Sequence, residues 1–378
     1  MATRGTITKY VDKTGRSRWR FRLDIVGGRG QRRQVKRQGF ATRHQAATAL
    51  ELVAAQNAGV TARTTDTLHT YLHRWATQRG EVDQIRASTV ASYLSKLKHL
   101  QHRRPALLLT DTRPEHLTGL YAEMRREGLG PRTVRYLHVI IRKGLDDAVR
   151  QGLLGANPAA AAMPPSAKAA AAPERTIWTE AEGRRFANWT GVPDNRRACW
   201  MLALNTGLRR GELAGLQWAD IEDDTMRIER TRVTVNSRTE TAKPKTERSR
   251  RTVVLSPDTV TAVKSWRVKQ AETFLSIGLG GGAVWFATNA KLRPSPPDDL
   301  SHRWKHDATA ALQAGIVDSY MTLHDARHWH ASQLVAAGVD MRTIADRLGH
   351  VDPGFTLRTY GHSDLERQRT AAAQLDAG

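Results

Sequence analysis

The sequence contains a single cysteine, Cys199, among its 378 residues. One cysteine excludes an internal disulfide bond and any zinc module that is built from several cysteine ligands. No apolar run approaches the roughly 20 residues of a membrane-spanning helix. The first ten residues also lack the apolar core of a secretory signal peptide. We therefore expect a cytoplasmic protein with no membrane partner.

Acidic residues are too few to balance the basic ones. The chain has 37 Asp and Glu against 59 Lys and Arg, which gives a net charge of +22. Such an excess indicates a polyanionic partner, above all nucleic acid. Residues 1–60 hold 13 Lys and Arg against 3 Asp and Glu, a net charge of +10. The hydrophobic fraction of 40% is nevertheless that of a globular protein, and the length predicts several domains.

The N-terminal residues 1–60 predict a small domain of three strands and one helix. Strands are expected over 5–10, 18–26 and 31–40, and a helix over 43–57. In the second strand apolar and basic residues alternate, so the helix is expected to cover the apolar face. The basic face would then fit the major groove of duplex DNA, although a solvated charged face is the alternative. The predicted DNA contacts are Arg18, Arg20, Arg22, Arg32, Arg33, Lys36 and Arg37.

The rest of the chain predicts two further domains. Residues 65–160 carry apolar residues at helical spacing in four segments and predict an all-α domain. Residues 161–174 are rich in proline and alanine and predict an exposed linker, which suits a clamp on a duplex and a plain tether equally. Residues 175–378 predict a mainly α domain with a small antiparallel sheet. The expected fold class is therefore α+β with several domains.

An arginine pair interrupts an apolar helix in this last domain. The helix that begins near Met201 breaks at Thr206 and Gly207, and a second helix follows at once. Arg209 in such a junction would be held and partly desolvated, so that its planar guanidinium could grip a phosphate with two hydrogen bonds. The same residue could instead pair with Glu212.

Further basic, imidazole and phenol groups follow in a fixed order. Residues 226–235 and 250–255 predict two strands joined by a basic turn that contains Lys243 and Lys245. His324 and Arg327 are three residues apart and share one helical face. His350 and Tyr360 come last. Alone, a tyrosine at this position would indicate only a buried helix residue.

Taken together, these segments resemble the tyrosine recombinases, the phage integrase family. The matching segments occur in the order and at the spacing of the family between residues 175 and 365. Residues 1–60 resemble the arm-site-binding domain of lambda-type integrases, and residues 65–160 resemble their core-binding domain. The matching segments are 206–213, 244–246, 250–253, 323–328, 348–350 and 359–362.

The resemblance implies a site-specific recombinase that integrates or excises a phage or mobile element. Strands would be cut and rejoined through a 3′-phosphotyrosyl intermediate and a Holliday junction. In this scheme Tyr360 is the nucleophile, and Arg209 and Arg327 hold the non-bridging phosphate oxygens. Lys245, which we favour over Lys243, is the general acid. His324 and His350 bind the phosphate or assist proton transfer, and Glu212 orients its neighbours.

The resemblance also implies the partners. No metal and no other cofactor is expected, because arginines can neutralise the phosphodiester and a phosphotyrosyl bond retains the energy of the bond it replaces. The partner would be double-stranded DNA with core and arm sites, bound by a homo-tetramer in the nucleoid of a bacterial host. A host DNA-bending factor and an excisionase are compatible additions. The competing hypotheses are a topoisomerase-like or resolving enzyme with the same chemistry and a catalytically inactive DNA-binding regulator.

Overall fold

The computed structural model describes residues 5–12, 14–26, 32–57, 64–82, 84–171, 176–235, 238–242, 250–279, 282–289 and 291–349. The chain divides into two compact units, Met1–Pro173 and Glu174–Gly378. The described residues are mainly helical, with three small antiparallel sheets. The α+β class predicted from the sequence is confirmed.

The N-terminal part of the first unit is a three-stranded sheet covered by one helix. The strands are β1 (Gly5–Val11), β2 (Ser17–Val26) and β3 (Arg32–Phe40), in the order β1-β2-β3, and helix α1 spans Arg43–Asn57. Phe21, Leu23 and Val53 form the core between sheet and helix. The alternation of β2 explains this arrangement, since every second side chain of a strand points to the same face.

Four amphipathic helices form the second part of this unit. They are α2 (Leu68–Glu81), α3 (Ala87–Arg103), α4 (Pro114–Arg126) and α5 (Pro131–Arg150). Helix α5 alone buries eight residues on one stripe, among them Leu137, Ile141 and Leu145. Proline at the first position of α4 and of α5 fits the start of a helix, where its missing N–H group has no partner to lose.

The segment predicted as an exposed linker differs from that expectation in its first residues. Ala162 is buried in the core of the helical part. The Met163 N–H donates to Thr118 Oγ1 at 3.0 Å, and Arg135 Nη1 donates to the Pro165 carbonyl at 2.8 Å. The small alanine side chains fit against the helices, and the Pro165 carbonyl accepts a hydrogen bond from α5. The start of this segment is therefore packed on α4 and α5.

The second unit is built around seven helices among its described residues. They are α6 (Glu180–Asn188), α7 (Asp194–Thr206), α8 (Arg210–Gly215), α9 (Pro257–Ser276), α10 (Pro297–Gln313), α11 (Leu323–Ala336) and α12 (Met341–Leu348). Four aromatic rings pack together in the core, where Trp178 stacks on Trp304, Phe186 packs against Trp178 and Trp200 meets Trp304 edge to face. Cys199 lies beside them and is 3% exposed, and burial raises the pKa of its thiol to about 12.

The strands of the second unit pair differently from the expectation. The strand predicted over 226–235 is two strands, β5 (Thr225–Ile228) and β6 (Thr231–Val235). Strand β5 pairs with β4 (Ile221–Glu222) and with β8 (Arg251–Val254), whereas β6 forms a hairpin with β7 (Arg238–Ala242). The prediction missed β7 because its sequence, RTETA, has alanine as its one apolar residue, which is too little to reveal a strand face. The chain therefore leaves the sheet after β5 and returns to it at β8.

Candidate active site

The junction between α7 and α8 presents Arg209. Helix α7 ends at Thr206, and Gly207 follows with φ +64, a left-handed conformation that favours glycine. A Cβ atom on Gly207 would lie 2.7 Å from Leu348 Cδ2 and 2.9 Å from His330 Cδ2. Glycine is therefore required at this position both by the backbone and by the close approach of α11 and α12. Arg209 then precedes α8 as its N-cap residue.

Arg209 is oriented by hydrogen bonds from its backbone N–H and from its guanidinium. Its backbone N–H donates to Glu212 Oε2 at 3.0 Å, and its Nη1 donates to Glu212 Oε1 at 2.7 Å. Its Nη2 donates to the Gly349 carbonyl at 3.1 Å. The side chain remains 39% exposed. The pairing with Glu212 considered from the sequence is therefore present, and it leaves the arginine accessible to solvent.

Glu212 is a buried carboxylate between two arginines. It is 5% exposed, and Arg251 at the start of β8 donates to both of its oxygens, from Nη1 at 3.1 Å and from Nη2 at 2.9 Å. Burial opposes ionisation of this carboxyl, but the guanidiniums of Arg251 and Arg209 outweigh it and lower its pKa to about 2. Glu212 is therefore ionised at neutral pH and acts as a fixed anion.

Arg327 comes from α11 and reaches the same region. The helix begins with a reciprocal capping arrangement, in which the Thr322 side chain accepts from the Asp325 N–H and Asp325 accepts from the Thr322 N–H. Arg327 is 4% exposed, and its Nη1 donates to the Gly207 carbonyl at 2.8 Å. Its Nη2 donates to the Leu348 carbonyl at 2.6 Å. The structure thus brings together Arg209 and Arg327, which bind consecutive carbonyls at the end of α12.

His324 lies on the same helix as Arg327, three residues earlier, and is exposed. Its ring centroid is 5.2 Å from that of His328, with the two planes nearly perpendicular. Among the described residues, no group of three histidine, cysteine or acidic side chains is placed to hold a metal ion. None of the described helices is both long and apolar enough to cross a membrane.

Four of the residues that the sequence predicts for this site lie outside the described part of the chain. They are Lys245, its alternative Lys243, His350 and Tyr360. The lysines follow β7 in the sequence, and His350 directly follows Gly349. Their roles stay predictions.

Three further residues, which the sequence did not single out, connect the elements of this site. Arg251 Nε donates to the Arg347 carbonyl at 2.7 Å, and Arg347 Nε donates to His330 Nε2 at 3.1 Å. Arg251 lies in the segment 250–253, and Arg347 directly precedes the segment 348–350. Their places in or beside these family segments are the one signal that could have indicated them. Their hydrogen bonds join residues 17 to 142 positions apart and go to backbone carbonyls or buried side chains, and such contacts are not visible in a sequence.

The basic face of the N-terminal sheet is exposed. Arg20 and Arg22 of β2 point away from the core, and the register pairs Arg22 with Lys36 on β3. Arg20 Nε donates to Thr8 Oγ1 at 3.0 Å, and Arg18 forms an ion pair with Asp12 at 3.3 Å.

The register places three of the predicted basic residues of β3 opposite apolar residues of β2. Arg37 pairs with Phe21, so it lies at a position of the opposite, helix-covered face. Arg32 and Arg33 lie at the start of β3 and pair with Val26 and Ile25. Lys36 and Arg37 therefore lie on opposite faces of the sheet.

Comparison with known proteins identifies the class. Residues 190–367 match the phage integrase family, and residues 8–56 match an arm DNA-binding domain. The ICEBs1 integrase of Bacillus subtilis (strain 168) is 27% identical over 270 residues, which are 69% of this chain and 69% of that protein.

Solved structures share the fold. The Tn1549 transposon integrase, in complex with transposon right end DNA, superposes with a TM-score of 0.68 at 16% identity over 82% of this chain and 100% of that one. A lambda integrase tetramer bound to a Holliday junction gives a TM-score of 0.57 at 18% identity over 91% of this chain and 96% of that one. The chain is a tyrosine-type site-specific recombinase. Its residues 190–367 are a catalytic domain of the phage integrase family, and its residues 8–56 are an arm DNA-binding domain.

Proposed function

We propose that Tyr360 attacks a DNA phosphodiester and that Arg209 and Arg327 stabilise the reacting phosphate. The Tyr360 phenolic oxygen forms a bond to phosphorus, and the bond from phosphorus to the 5′-oxygen breaks. The phenol passes its proton to His324 or His350, and the leaving 5′-oxygen receives a proton from the Lys245 ammonium group. A 3′-phosphotyrosyl enzyme and a free 5′-hydroxyl result. Attack by a 5′-hydroxyl of another strand reverses the step without ATP.

The observation that carries this proposal is the convergence of Arg209 and Arg327. Their guanidiniums bind the carbonyls of Gly349 and Leu348, and His350 is the next residue in the chain. Two oriented guanidiniums can stabilise the negative charge that builds on the non-bridging oxygens in the transition state. A phenol, whose ordinary pKa is about 10, needs such concentrated positive charge around its target.

The other site residues take supporting roles in the proposal. His324, on the exposed side of α11, and His350 bind the phosphate or assist proton transfer. Glu212 is a positioning residue, because its ionised carboxylate fixes Arg209 through two hydrogen bonds. No metal ion and no other cofactor takes part in this scheme.

DNA is the proposed partner of all three domains, assigned as 1–60, 65–160 and 175–378 with a linker over 161–174. The exposed basic face of β2 supports arm-site binding by the first domain. We assign its contacts to Arg18, Arg20, Arg22 and Lys36, with Arg32, Arg33 and Arg37 as further candidates. Residues 65–160 would bind the core site, next to the position that the catalytic domain cleaves.

A homo-tetramer is the proposed assembly, since the lambda integrase of the same fold forms a tetramer on a Holliday junction. Four copies would exchange strands between two duplexes and so integrate or excise a phage genome or another mobile element. A host DNA-bending factor and an excisionase would act on the same complex. The reaction would take place in the bacterial cytoplasm, at the nucleoid.

The experiment is covalent trapping on a nicked suicide duplex, in which the cleaved end diffuses away and rejoining is blocked. The wild-type chain is expected to form a DNA adduct. Tyr360→Phe should bind the same DNA and form none, because it lacks the attacking oxygen. Tyr320→Phe is the matched control, since Tyr320 is a half-exposed tyrosine of the same unit, and it should react as the wild type.

Three other outcomes each overturn a part of the proposal. An adduct with Tyr360→Phe contradicts the assignment of the nucleophile. The absence of any adduct with the wild type indicates a DNA-binding regulator. Relaxation of a supercoiled plasmid without exchange between two attachment sites indicates a topoisomerase-like enzyme.

A further inference from the structure

Arg347 joins α12 to three other elements through its guanidinium. Its Nη1 donates to the Val254 carbonyl at the end of β8 at 3.0 Å, and its Nη2 donates to the Asn205 carbonyl in α7 at 3.1 Å. Its Nε donates to His330 Nε2 in α11 at 3.1 Å. These three bonds go to three different elements, and all of them leave from the last turn of α12. The side chain therefore fixes where this helix ends.

His330 accepts from Arg347 because its ring is neutral. Burial, together with the guanidiniums of Arg347 and Arg327, lowers the pKa of this histidine to about 3, although a hydrogen bond to the Leu204 carbonyl acts in the opposite direction. An arginine can only donate, so Nε2 of His330 carries no proton and Nδ1 carries it. A backbone carbonyl at Leu204 accepts from that Nδ1–H, which fixes the ring on both sides.

The backbone of residue 347 closes a ring of contacts around the site. Its carbonyl accepts from Arg251 Nε at 2.7 Å, and Arg251 is bound to Glu212. Glu212 binds Arg209, and Arg209 Nη2 returns to the Gly349 carbonyl, two residues after Arg347. Arg347 is thus held through its side chain and its carbonyl, directly ahead of the carbonyls that orient the two arginines.

The position of those carbonyls decides the position of the guanidiniums. Leu348 O accepts from Arg327 and Gly349 O from Arg209, at 2.6 Å and 3.1 Å. Leu348 is the last residue of a helix of only eight residues and Gly349 caps that helix, and at this end the helix dipole is negative and favours a cation. A displacement of about 1 Å in a group that binds the reacting atoms can cost on the order of 100-fold in rate.

We propose that Arg347, held by His330, is a positioning residue for strand cleavage. It fixes the end of α12 so that the carbonyls of Leu348 and Gly349 hold Arg327 and Arg209 in the geometry that binds the scissile phosphate. This inference rests on the proposed function, because it presupposes that these two arginines bind that phosphate. It adds a pair of residues, Arg347 and His330, whose hydrogen bonds go to other groups of the protein.

The first test compares Arg347→Met with Arg342→Met in the full chain. Methionine keeps much of the apolar stem and removes every donor, while the control residue Arg342 is 87% exposed and its Nε lies 3.9 Å from Asp346 Oδ2. Arg347→Met should slow single-turnover adduct formation on the suicide duplex by about 100-fold. Its DNA affinity should stay within about twofold, because Arg347 donates its hydrogen bonds inside the protein. Arg342→Met should match the wild type in both measurements.

A neutral phosphate separates positioning from a general loss of structure. A methylphosphonate at the scissile position replaces one charged non-bridging oxygen by a methyl group, so the reaction depends less on the arginines. The defect of Arg347→Met should shrink at least tenfold on this substrate, as should that of Arg209→Met. Equal defects on both substrates would mean that Arg347 supports only the fold and would overturn the inference.

Variants of His330 keep the test decisive if Arg347→Met does not fold. His330→Gln retains an acceptor near the position of Nε2 and should keep most of the cleavage rate, whereas His330→Met removes it and should behave as Arg347→Met does. Equal rates for these two variants would contradict the role of His330.

Arg209→Met distinguishes failure of the inference from failure of the proposed function. If it cleaves normally, the assignment of the phosphate-binding arginines is wrong. If it is inactive and Arg347→Met is normal, only the inference fails.

Discussion

Glu212 is the residue on which the geometry of Arg209 depends. One carboxylate accepts from the backbone and the guanidinium of Arg209 and from two nitrogens of Arg251, whose side chain is only 6% exposed. A buried ion pair of this kind is no proof of stability in itself, because desolvation offsets much of the attraction. Removal of one partner is costly, however, because it leaves the other charge buried without compensation.

Glu212→Gln should therefore lower the free energy of unfolding by about 3 kcal/mol. Glu180→Gln, which alters an exposed pair with Arg184 on α6, should change it by less than about 0.5 kcal/mol. The measurement is urea unfolding of both variants at neutral pH. A loss for Glu212→Gln as small as that of the control would contradict a fixed anion at this position.

The difference in the free energy of unfolding between the wild type and Glu212→Gln should depend on pH. The pKa of Glu212 falls from an ordinary value of 4.5 in the unfolded chain to about 2 in the fold. Its ionisation therefore stabilises the protein fully above pH 4.5, and this contribution is lost as the pH falls toward 2. The gap in stability between wild type and Glu212→Gln should narrow over that window.

The residues of the site that could be predicted are those with a fixed place in a recognisable segment. Arg209, His324 and Arg327 lie in such segments, and the structure brings the two arginines together. Arg251, Arg347 and His330 could not be found in this way, because their partners are backbone carbonyls or buried side chains of distant elements. Any arginine in a sequence can make such contacts, and only packing decides which one does.

At the scale of elements, the break between α7 and α8 controls the site. Two short helices meet at Gly207, whose carbonyl accepts from Arg327 and whose Cα faces α11 and α12 without room for a side chain. A continuous helix through this point would turn Arg209 away from Gly349. The break could be predicted from the glycine, but the close approach of α12 could not, since it joins residues about 140 apart.

Gly207→Ala should therefore be more harmful than an alanine in another left-handed turn. Gly315 after α10 has nearly the same φ, +68 against +64, and an added Cβ there meets no atom within 4 Å. Both variants carry the backbone strain of about 1 kcal/mol, and Gly207→Ala adds about 1–3 kcal/mol for the clash with Leu348 and His330. Thermal unfolding measures the difference. Equal stability of the two variants would mean that the site adjusts freely.

The sheets show why strands were harder to predict than helices. Helices α5 and α11 begin and end at residues whose chemistry marks a boundary, such as Pro131 and Thr322. Strand β7 is polar apart from Ala242, so its pairing with β6 leaves no hydrophobic pattern in the sequence. Strands β5 and β8 are separated in the sequence by β6 and β7, and local periodicity cannot reveal that they pair.

For the whole molecule, charge is divided unequally among the domains. Nearly half of the net charge of +22 lies in residues 1–60, whereas the recombinase site uses a few cations in a nearly balanced background. The affinity for DNA should then depend mainly on the charge of residues 1–60, whereas the rate of strand cleavage should depend on the few cations of the site. Binding by the N-terminal sheet should depend steeply on salt, because each phosphate contact releases a counterion.

The paired positions Arg22 and Lys36 test this division. Replacing both by glutamine should reduce the slope of log affinity against log salt by about 2 for a random-sequence duplex. The double change Arg16→Gln and Arg43→Gln removes the same charge from the turn before β2 and from α1, and should leave the slope nearly unchanged. Adduct formation at saturating DNA should stay normal in both. Equal slopes for the two doubles would contradict recognition by this face of the sheet.

The burial of Cys199 has a practical consequence for observing such a protein at work. A thiol that is 3% exposed, with its pKa raised to about 12, holds almost no thiolate at neutral pH, and thiolate is the species that maleimide dyes attack. Because the chain has no other cysteine, a cysteine introduced on an exposed surface would be labelled selectively in the native sequence background. Fluorescent pairs on protein and DNA could then follow synapsis and strand exchange in single complexes.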